Sequence, residues 1–298
     1  MIDQNFKNGC ALIVGGSGGI GSLCAEEFSN SGAKVAITYF KNEQAAINLA
    51  NEIDADVNIY QLDNSNSKSV EDTFKQVVKD FGSINTLVNA AGFDIPQKFI
   101  SEIDIELWRE VIDADINGFF NLVKFGLPYL RESQGSIVFI SSAGLFKYPP
   151  GDILSVAPKA TIEHVLKGIA KEEGKNGVRA NSIALGVIDT GIFHRLREEN
   201  NTFFDEAWHE AVMNTLAIKR FGLPKEVADT VLEYIMKPVQ FLISGFLEFL
   251  PGFFFIIVII FITKYLLKFL KYLTDEIQRE AVRLDGFHAD WAKPTFNL

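Results

Sequence analysis

The 298-residue chain has only two cysteines, Cys10 and Cys24. One falls on a short apolar run and the other on the amphipathic stretch after it. Both therefore read as small core residues and not as a disulfide, which fits a cytosolic setting. Clustered positive charge is also lacking: the formal net charge is -10, and the first 240 residues hold no block of Lys or Arg. That excludes binding to nucleic acid, whose affinity comes largely from cationic neutralisation of phosphates. The opening residues MIDQNFKNGC have no basic segment followed by an apolar one, so no secretory leader is expected. No metal site is expected either. Phenylalanine, by contrast, is abundant, with 26 copies, many of them after residue 240.

From residue 10 to about 190, short apolar runs alternate with longer amphipathic segments, the pattern of repeated βα units around a parallel sheet. Strands are expected at 10–14, 34–39, 57–62, 86–89, 136–141 and 179–185, and helices at 20–31, 44–53, 69–81, 105–130 and 155–174. No repeat or low-complexity linker interrupts this stretch, and no domain boundary is expected before residue 238.

The first run, Cys10-Ala-Leu-Ile-Val14, leads into Gly15-Gly-Ser-Gly-Gly19-Ile-Gly21 and then a helix. Glycines there permit a tight turn and close approach of backbone to a pyrophosphate, and the helix N-terminus offers oriented N–H groups. Further motifs follow in order. They are Gln61-Leu-Asp63-Asn, Leu87-Val-Asn89-Ala-Ala-Gly92, Asn181-Ser-Ile-Ala-Leu-Gly186-Val-Ile-Asp-Thr190 and Arg220-Phe-Gly222-Leu-Pro224-Lys-Glu-Val-Ala. Together they resemble the short-chain dehydrogenase/reductase family, in particular its 3-oxoacyl-carrier-protein reductase-like members, with Val14 for the family's Thr and Leu185 for its Pro.

The resemblance implies a doubly wound Rossmann fold with a seven-stranded parallel sheet. It also implies a dinucleotide site built from Gly15, Ser17, Gly19, Ile20, Gly21, Asp63, Asn89, Ala90, Gly92, Lys159, Gly186, Ile188 and Thr190. At the end of the second strand, Tyr39-Phe40-Lys41-Asn42 offers a base and no acid before Glu43. Lys41 is thus a candidate partner for a 2′-phosphate, and NADP(H) is preferred, with NAD(H) possible.

Reduction of a carbonyl needs a hydride donor, a polarising hydrogen bond and a proton source of suitable pKa. The family supplies these with Asn, Ser, Tyr and Lys. Here Ser142 and Lys159 match, but Ser155 stands at the Tyr position and Asp115 at the Asn position. An aliphatic hydroxyl is too weak an acid to replace a phenol. Asp115 is expected to pair with Lys159 and hold it charged. Tyr148 and Asp152, in the turn-prone Lys147-Tyr-Pro-Pro-Gly-Asp152, are the candidate substitutes. Two readings stay open: an NADP(H)-dependent oxidoreductase acting on a small carbonyl or hydroxyl compound, perhaps acyl-linked, with a rearranged acid, or a dinucleotide-binding scaffold or regulatory pseudoenzyme that has lost turnover. The resemblance also implies association through the helices at 105–130 and 155–174 and a second contact near the last strand. A C-terminal insertion at 246–280 should hinder that second contact, so a homodimer in place of a tetramer is expected.

In the C-terminal region, Phe241-Leu-Ile-Ser-Gly245 resembles a family turn and Ala281-Val-Arg-Leu-Asp-Gly286 the last strand, which leaves residues 246–280 as an insertion. The chain thus divides into a Rossmann domain at 1–245, a hydrophobic insertion at 246–280, and a last strand with tail at 281–298. As a helix, 253–273 would reach ~31 Å, enough for a bilayer core, but one crossing would part the last strand from its sheet. Pro251-Gly252 offers a break, and Lys264, Lys268 and Lys271 share a helical face. A helical hairpin that lies on or dips into the cytoplasmic membrane face is expected, making the protein cytoplasmic and peripheral. Burial against a partner subunit and a foreign insert are the alternatives.

Overall fold

Strand residues that are apolar on both faces suit the middle of a parallel sheet covered on both sides. In the computed structural model, which describes residues 9–199, 203–236 and 238–279, β1 (Cys10–Val14) is buried along its whole length. With it stand β2 (Lys34–Tyr39), β3 (Val57–Gln61), β4 (Ile84–Asn89), β5 (Ser136–Ser142) and β6 (Arg179–Leu185). These six pair in parallel in the order β3-β2-β1-β4-β5-β6. The chain order reverses between β1 and β4. In such sheets that switch point opens a crevice beyond the carboxyl ends of the strands.

Alternate residues of each strand face opposite layers. Leu12, Val14 and Leu87 join one core with Phe74, Phe119 and Leu122, from α3 (Ser67–Phe81) and α5 (Gly118–Ser133). Ala11, Ile13 and Val88 join the other with Phe28 of α1 (Gly19–Asn30) and Val231 of α9 (Pro224–Met236). Cys10 and Cys24 are both buried and free, as small core residues. The helices start where the sequence supplies acceptors for their unpaired N–H groups. Asn42 Oδ1 accepts from Ala45 N ahead of α2 (Glu43–Glu52), and Asn66 Oδ1 from Lys68 N and Ser69 N ahead of α3.

The region expected as one helix over 105–130 is instead α4 (Ile105–Val111), a π-helical segment (Ile112–Asn117) and α5. It leads through β5 to α6 (Ile153–Glu173); α7 (Ile192–Glu199) and α8 (Glu206–Thr215) follow β6.

The chain divides into two compact units, residues 1–236 and 237–298. In the second, the expected hairpin is corrected. The described helix α10 (Pro238–Gln278) runs 41 residues without reversing, through both Phe241–Gly245, expected as a turn, and Pro251-Gly252, expected as the break. Proline removes one backbone donor and kinks a helix, but it does not supply the reversed backbone that a hairpin needs. Pro128 and Pro158 likewise lie inside α5 and α6. The expected seventh strand at 281–286 lies outside the described residues. Among the described residues no helix is long and apolar enough to cross a membrane.

Candidate active site

The Gly-rich loop leaves β1 through Gly15, whose φ of +75° is open to glycine and strained for other residues. Its amide donates to Thr38 Oγ1 at 3.1 Å and its carbonyl accepts from Gly18 N at 3.0 Å. A Cβ on Gly21 would lie 2.3 Å from the Gly15 carbonyl oxygen, and one on Gly19 2.3 Å from Thr190 Oγ1. The loop therefore folds against the start of α1 only with glycine at 21, while glycine at 19 leaves room for the Thr190 side chain. A Cβ on Gly92 or Gly186 would meet nothing within 4 Å, because both border open space.

Of the expected cofactor residues, Gly15, Lys41, Asp63, Asn89, Gly92 and Lys159 line one cleft of about 510 Å³ at the switch point. Asn89 Oδ1 accepts from Ala91 N, and Ala90 N donates to Val14 O, tying the ends of β4 and β1 together. Asp63 accepts from both the amide and the hydroxyl of Ser65. Lys41 Nζ lies 5.1 Å from the centre of the exposed Phe40 ring. Ser17, Gly19, Ile20, Gly21, Ala90, Gly186, Ile188 and Thr190 lie outside the cleft lining; Ile20 and Ile188 pack on the α1/α9 core. A loop with this backbone, a helix N-terminus and open space beside it fits a dinucleotide.

Around Lys159 the structure gathers three of the expected catalytic groups. Lys159 Nζ donates to Ser155 Oγ at 3.0 Å, one turn back along α6. Burial lowers the ammonium's pKa, and the nearby Asp115 and Asp152 carboxylates oppose that shift. Asp115 sits on the π-helical segment, and Asp115 Oδ1 accepts from Phe93 N at 2.7 Å. The expected Asp115–Lys159 pairing is thus electrostatic; the direct bond of Lys159 is to Ser155. Burial raises the pKa of Asp115, the Phe93 amide and Lys159 pulling it back. Asp152, at the N-cap of α6, is pushed up to about 6, by burial above all, with Lys159 opposing.

Ser142 ends β5, and its Oγ accepts from Gly144 N at 3.0 Å, leaving the hydroxyl proton free to donate. Tyr148 stands on the loop before α6, 46% exposed, and no hydrogen bond among the described residues ties it to Lys159. Of the two candidate substitutes, only Asp152 joins the Lys159 cluster. Among the described residues no group of three or more His, Cys, Asp or Glu could hold a metal ion.

Residues 15–245 match the family described as "Enoyl-(Acyl carrier protein) reductase". The chain belongs to the short-chain dehydrogenase/reductase family. It is 30% identical over 229 residues to the "Uncharacterized oxidoreductase YxbG" of Bacillus subtilis, covering 76% of this chain and 84% of that one. It is also 30% identical over 225 residues to the "3-oxoacyl-[acyl-carrier-protein] reductase FabG" of Staphylococcus aureus, covering 74% and 88%. A short chain dehydrogenase from Burkholderia cenocepacia, solved in complex with NADP, superposes with a TM-score of 0.69 at 25% identity, covering 78% of this chain and 92% of that one. These relatives are oxidoreductases, which places this chain with the family's oxidoreductases and disfavours the scaffold reading.

Three features of the site go beyond the sequence expectations. The π-helical turn is one. A second is the staple inside the Arg220 motif, where Arg220 and Leu223 N both bond Glu226 while Gly222 pairs with Val187, Ile188 and Asp189. The third is the ring cluster around Phe193, with Phe204, Trp208 and Phe221 within 6.1 Å between ring centres.

Proposed function

We propose that this chain transfers hydride between NADP(H) and a small carbonyl or hydroxyl compound, with Asp152 in the proton-transfer role that a phenol fills in most of the family. The observation that carries this reading is Lys159, buried between Asp115 and Asp152 and bonded to Ser155, at the edge of a cleft that the Gly-rich loop also lines. When bound, a dihydronicotinamide supplies the hydride. Protonated Asp152 delivers its proton to the carbonyl oxygen, the Ser142 hydroxyl polarises that oxygen, and Lys159 steadies the carboxylate left behind. In the reverse direction the Asp152 carboxylate accepts the alcohol's proton. Lys41, at the mouth of the cleft, favours a 2′-phosphate, in keeping with the NADP held by the Burkholderia protein.

The same reading makes the protein a cytoplasmic homodimer, joined through α5 and α6, where Phe120 is exposed and His164 and Val165 border a shallow depression. A second observation concerns α10. Phe255, Ile259, Phe261, Leu266, Phe269 and Tyr272 along it are all exposed, while Lys264, Lys268 and Lys271 share one face. Those features favour contact with a lipid surface, the lysines at the headgroups and the rings and branched chains in the acyl layer. Single-turnover oxidation of bound NADPH across a panel of ketones and enoyl thioesters tests the hydride-transfer reading. Bound NADPH that no carbonyl compound oxidises would overturn it.

A further inference from the structure

Ser155 and Lys159 stand one turn apart near the start of α6, and both are half-buried. A spacing of four residues puts two side chains on one helix face, and here Lys159 Nζ and Ser155 Oγ lie 3.0 Å apart. While the lysine is an ammonium, its nitrogen donates. Once it is a neutral amine, the hydroxyl donates across the same distance. In that second state a nitrogen base can take the proton of a serine nucleophile. Hydride transfer gives Ser155 no role of its own.

The surroundings favour the neutral amine. Burial lowers the pKa of Lys159, and Asp115 on the π-helical segment and Asp152 at the N-cap of α6 oppose that shift without cancelling it. The direct bond of the lysine is to Ser155 and not to either carboxylate. Ser142 supplies a donor for a carbonyl oxygen: its Oγ accepts from Gly144 N, which leaves its proton free. A Cβ on Gly144 would meet both Ser142 Oγ, at 3.1 Å, and Val156 Cγ2, at 2.9 Å. The end of β5 is therefore packed on the first turn of α6, with the Ser142 hydroxyl beside Val156, the residue after Ser155. A nucleophile, its base and one oxyanion donor thus gather at the edge of the cleft that Lys159 lines.

We propose that Ser155 and Lys159 form a nucleophile–base dyad that hydrolyses carboxylic esters, a second activity that needs no dinucleotide. Ser155 Oγ adds to the ester carbonyl carbon as its proton passes to Lys159 Nζ, and the Ser142 hydroxyl bonds the oxygen that gains charge. The bond to the alcohol oxygen breaks, the alcohol leaves with the proton from Lys159, and the acyl group stays on Ser155. Water then adds to the acyl carbon and gives a proton to Lys159. The bond to Ser155 Oγ breaks, Oγ recovers that proton, and the acid is released. Nothing is oxidised or reduced, and ester and water account for every atom. An ester suits this site better than an amide, because one oxyanion donor and a base with no third group to orient it give modest activation. Hydride transfer uses Lys159 as an ammonium and ester cleavage uses it as an amine, so pH divides the two.

Full-length protein without dinucleotide is treated with a fluorophosphonate, which traps activated serines, and the labelled residue is found by peptide mass spectrometry. The expected label is on Ser155, at a rate that rises with pH and levels off below the ordinary lysine pKa of ~10.4. p-Nitrophenyl acetate should be turned over through an acetyl group on Ser155 that hydroxylamine removes. Ser155→Ala should abolish both reactions, and Lys159→Met, its folding checked by melting, should slow both by about 10²-fold or more. The mapping and the pH profile use wild-type protein, so they decide the matter even if Lys159→Met does not fold. Label on other serines as fast as on Ser155, a hydroxylamine-resistant acetyl group on Lys159 in its place, or a labelling rate flat in pH overturns the dyad. The hydride-transfer reading stands or falls separately, on oxidation of bound NADPH.

Discussion

Lys159 Nζ donates to Ser155 Oγ at 3.0 Å, so the ammonium that supports a phenol elsewhere in the family here meets an aliphatic hydroxyl one helical turn away. The spacing is right for a phenol and the chemistry is not. Ser155→Tyr combined with Asp115→Asn should therefore raise ketone reduction, by about tenfold or more, since a well-placed general acid contributes roughly 10²–10⁴-fold. Steady-state rates with propiophenone check this. A folded double variant that binds NADPH and gains nothing would mean that the new phenol cannot reach the reacting oxygen.

Asp152 gives a pH signature of the opposite kind. Its pKa is raised to about 6, so its acid form is present below that pH and its carboxylate above it. Reduction should fall as pH rises through about 6, and alcohol oxidation should rise over the same interval. Asp152→Asn should lose both limbs and about 10²-fold or more of the rate. Stability moves the other way. A carboxyl whose pKa is raised by folding is destabilising once ionised, so the amide should leave the melting temperature at pH 8 unchanged or higher. A variant that keeps wild-type rate and pH profile would remove Asp152 from the reaction.

How much of this could be read from the sequence depends on how local the cause is. The buried strands announce themselves as apolar runs because both faces of a parallel sheet are covered, and β1, β2 and β6 fall where the runs do. The Gly-rich loop is equally legible, since Gly15 answers to a positive φ and Gly21 to the nearby Gly15 carbonyl, both local demands on the backbone. The contact between the Phe99 and Phe203 rings is not, because two loops far apart in the chain bring them together. Pro251-Gly252 is less legible: both residues are turn formers in isolation, yet the helix runs through them. Asp115 stands at a motif position, but its bond from Phe93 N, far back in the chain, and the π-helical segment it sits on carry no local signal.

Lys41→Ala tests cofactor choice at one residue. The ammonium over Phe40 lies at the cleft, where it can meet a 2′-phosphate. Its removal should weaken NADPH by about tenfold at low salt, the loss shrinking as salt screens the pair, and should leave NADH nearly unchanged. Equal losses for the two nucleotides in a fluorescence titration would assign Lys41 a structural role only.

Glu173 makes the acid limb of stability measurable. Arg131 bonds it with both Nε and a terminal nitrogen, at 2.6 and 2.5 Å, and Asn176 adds a third donor. The Arg131 hydrogen bonds, first, and that of Asn176, next, hold its carboxyl down to about 2. A depressed carboxyl stabilises fully above its ordinary range, and that contribution fades as pH falls from there through about 2. Glu173→Gln should lower the melting temperature at pH 7 and flatten its dependence on pH in this interval. Melting curves that stay parallel to wild type at every pH would show that the pair contributes nothing to acid sensitivity.

The helix at Pro238–Gln278 poses a different problem, because nothing in a water-facing fold explains Phe255, Ile259, Phe261 and Leu266 exposed together on one continuous helix. A helix apolar on all sides is ordinarily surrounded, and a protein partner covers one face where a lipid layer can cover several. The three lysines add a direction. Residues 264, 268 and 271 lie within one stripe, so that half of the helix can rest with ammonium groups at anionic headgroups while Leu266 and Phe269 enter the acyl layer. Purified protein should therefore co-sediment with vesicles containing anionic lipid, and Ile256→Glu with Ile260→Glu should release it. Replacing the three lysines with glutamine should weaken binding to anionic vesicles by about fivefold per residue, from ~1 kcal/mol for each cation near such a surface, and leave binding to neutral vesicles unchanged. Monodisperse protein that ignores vesicles of both kinds would sink the lipid reading and turn attention to a protein partner for the same surface.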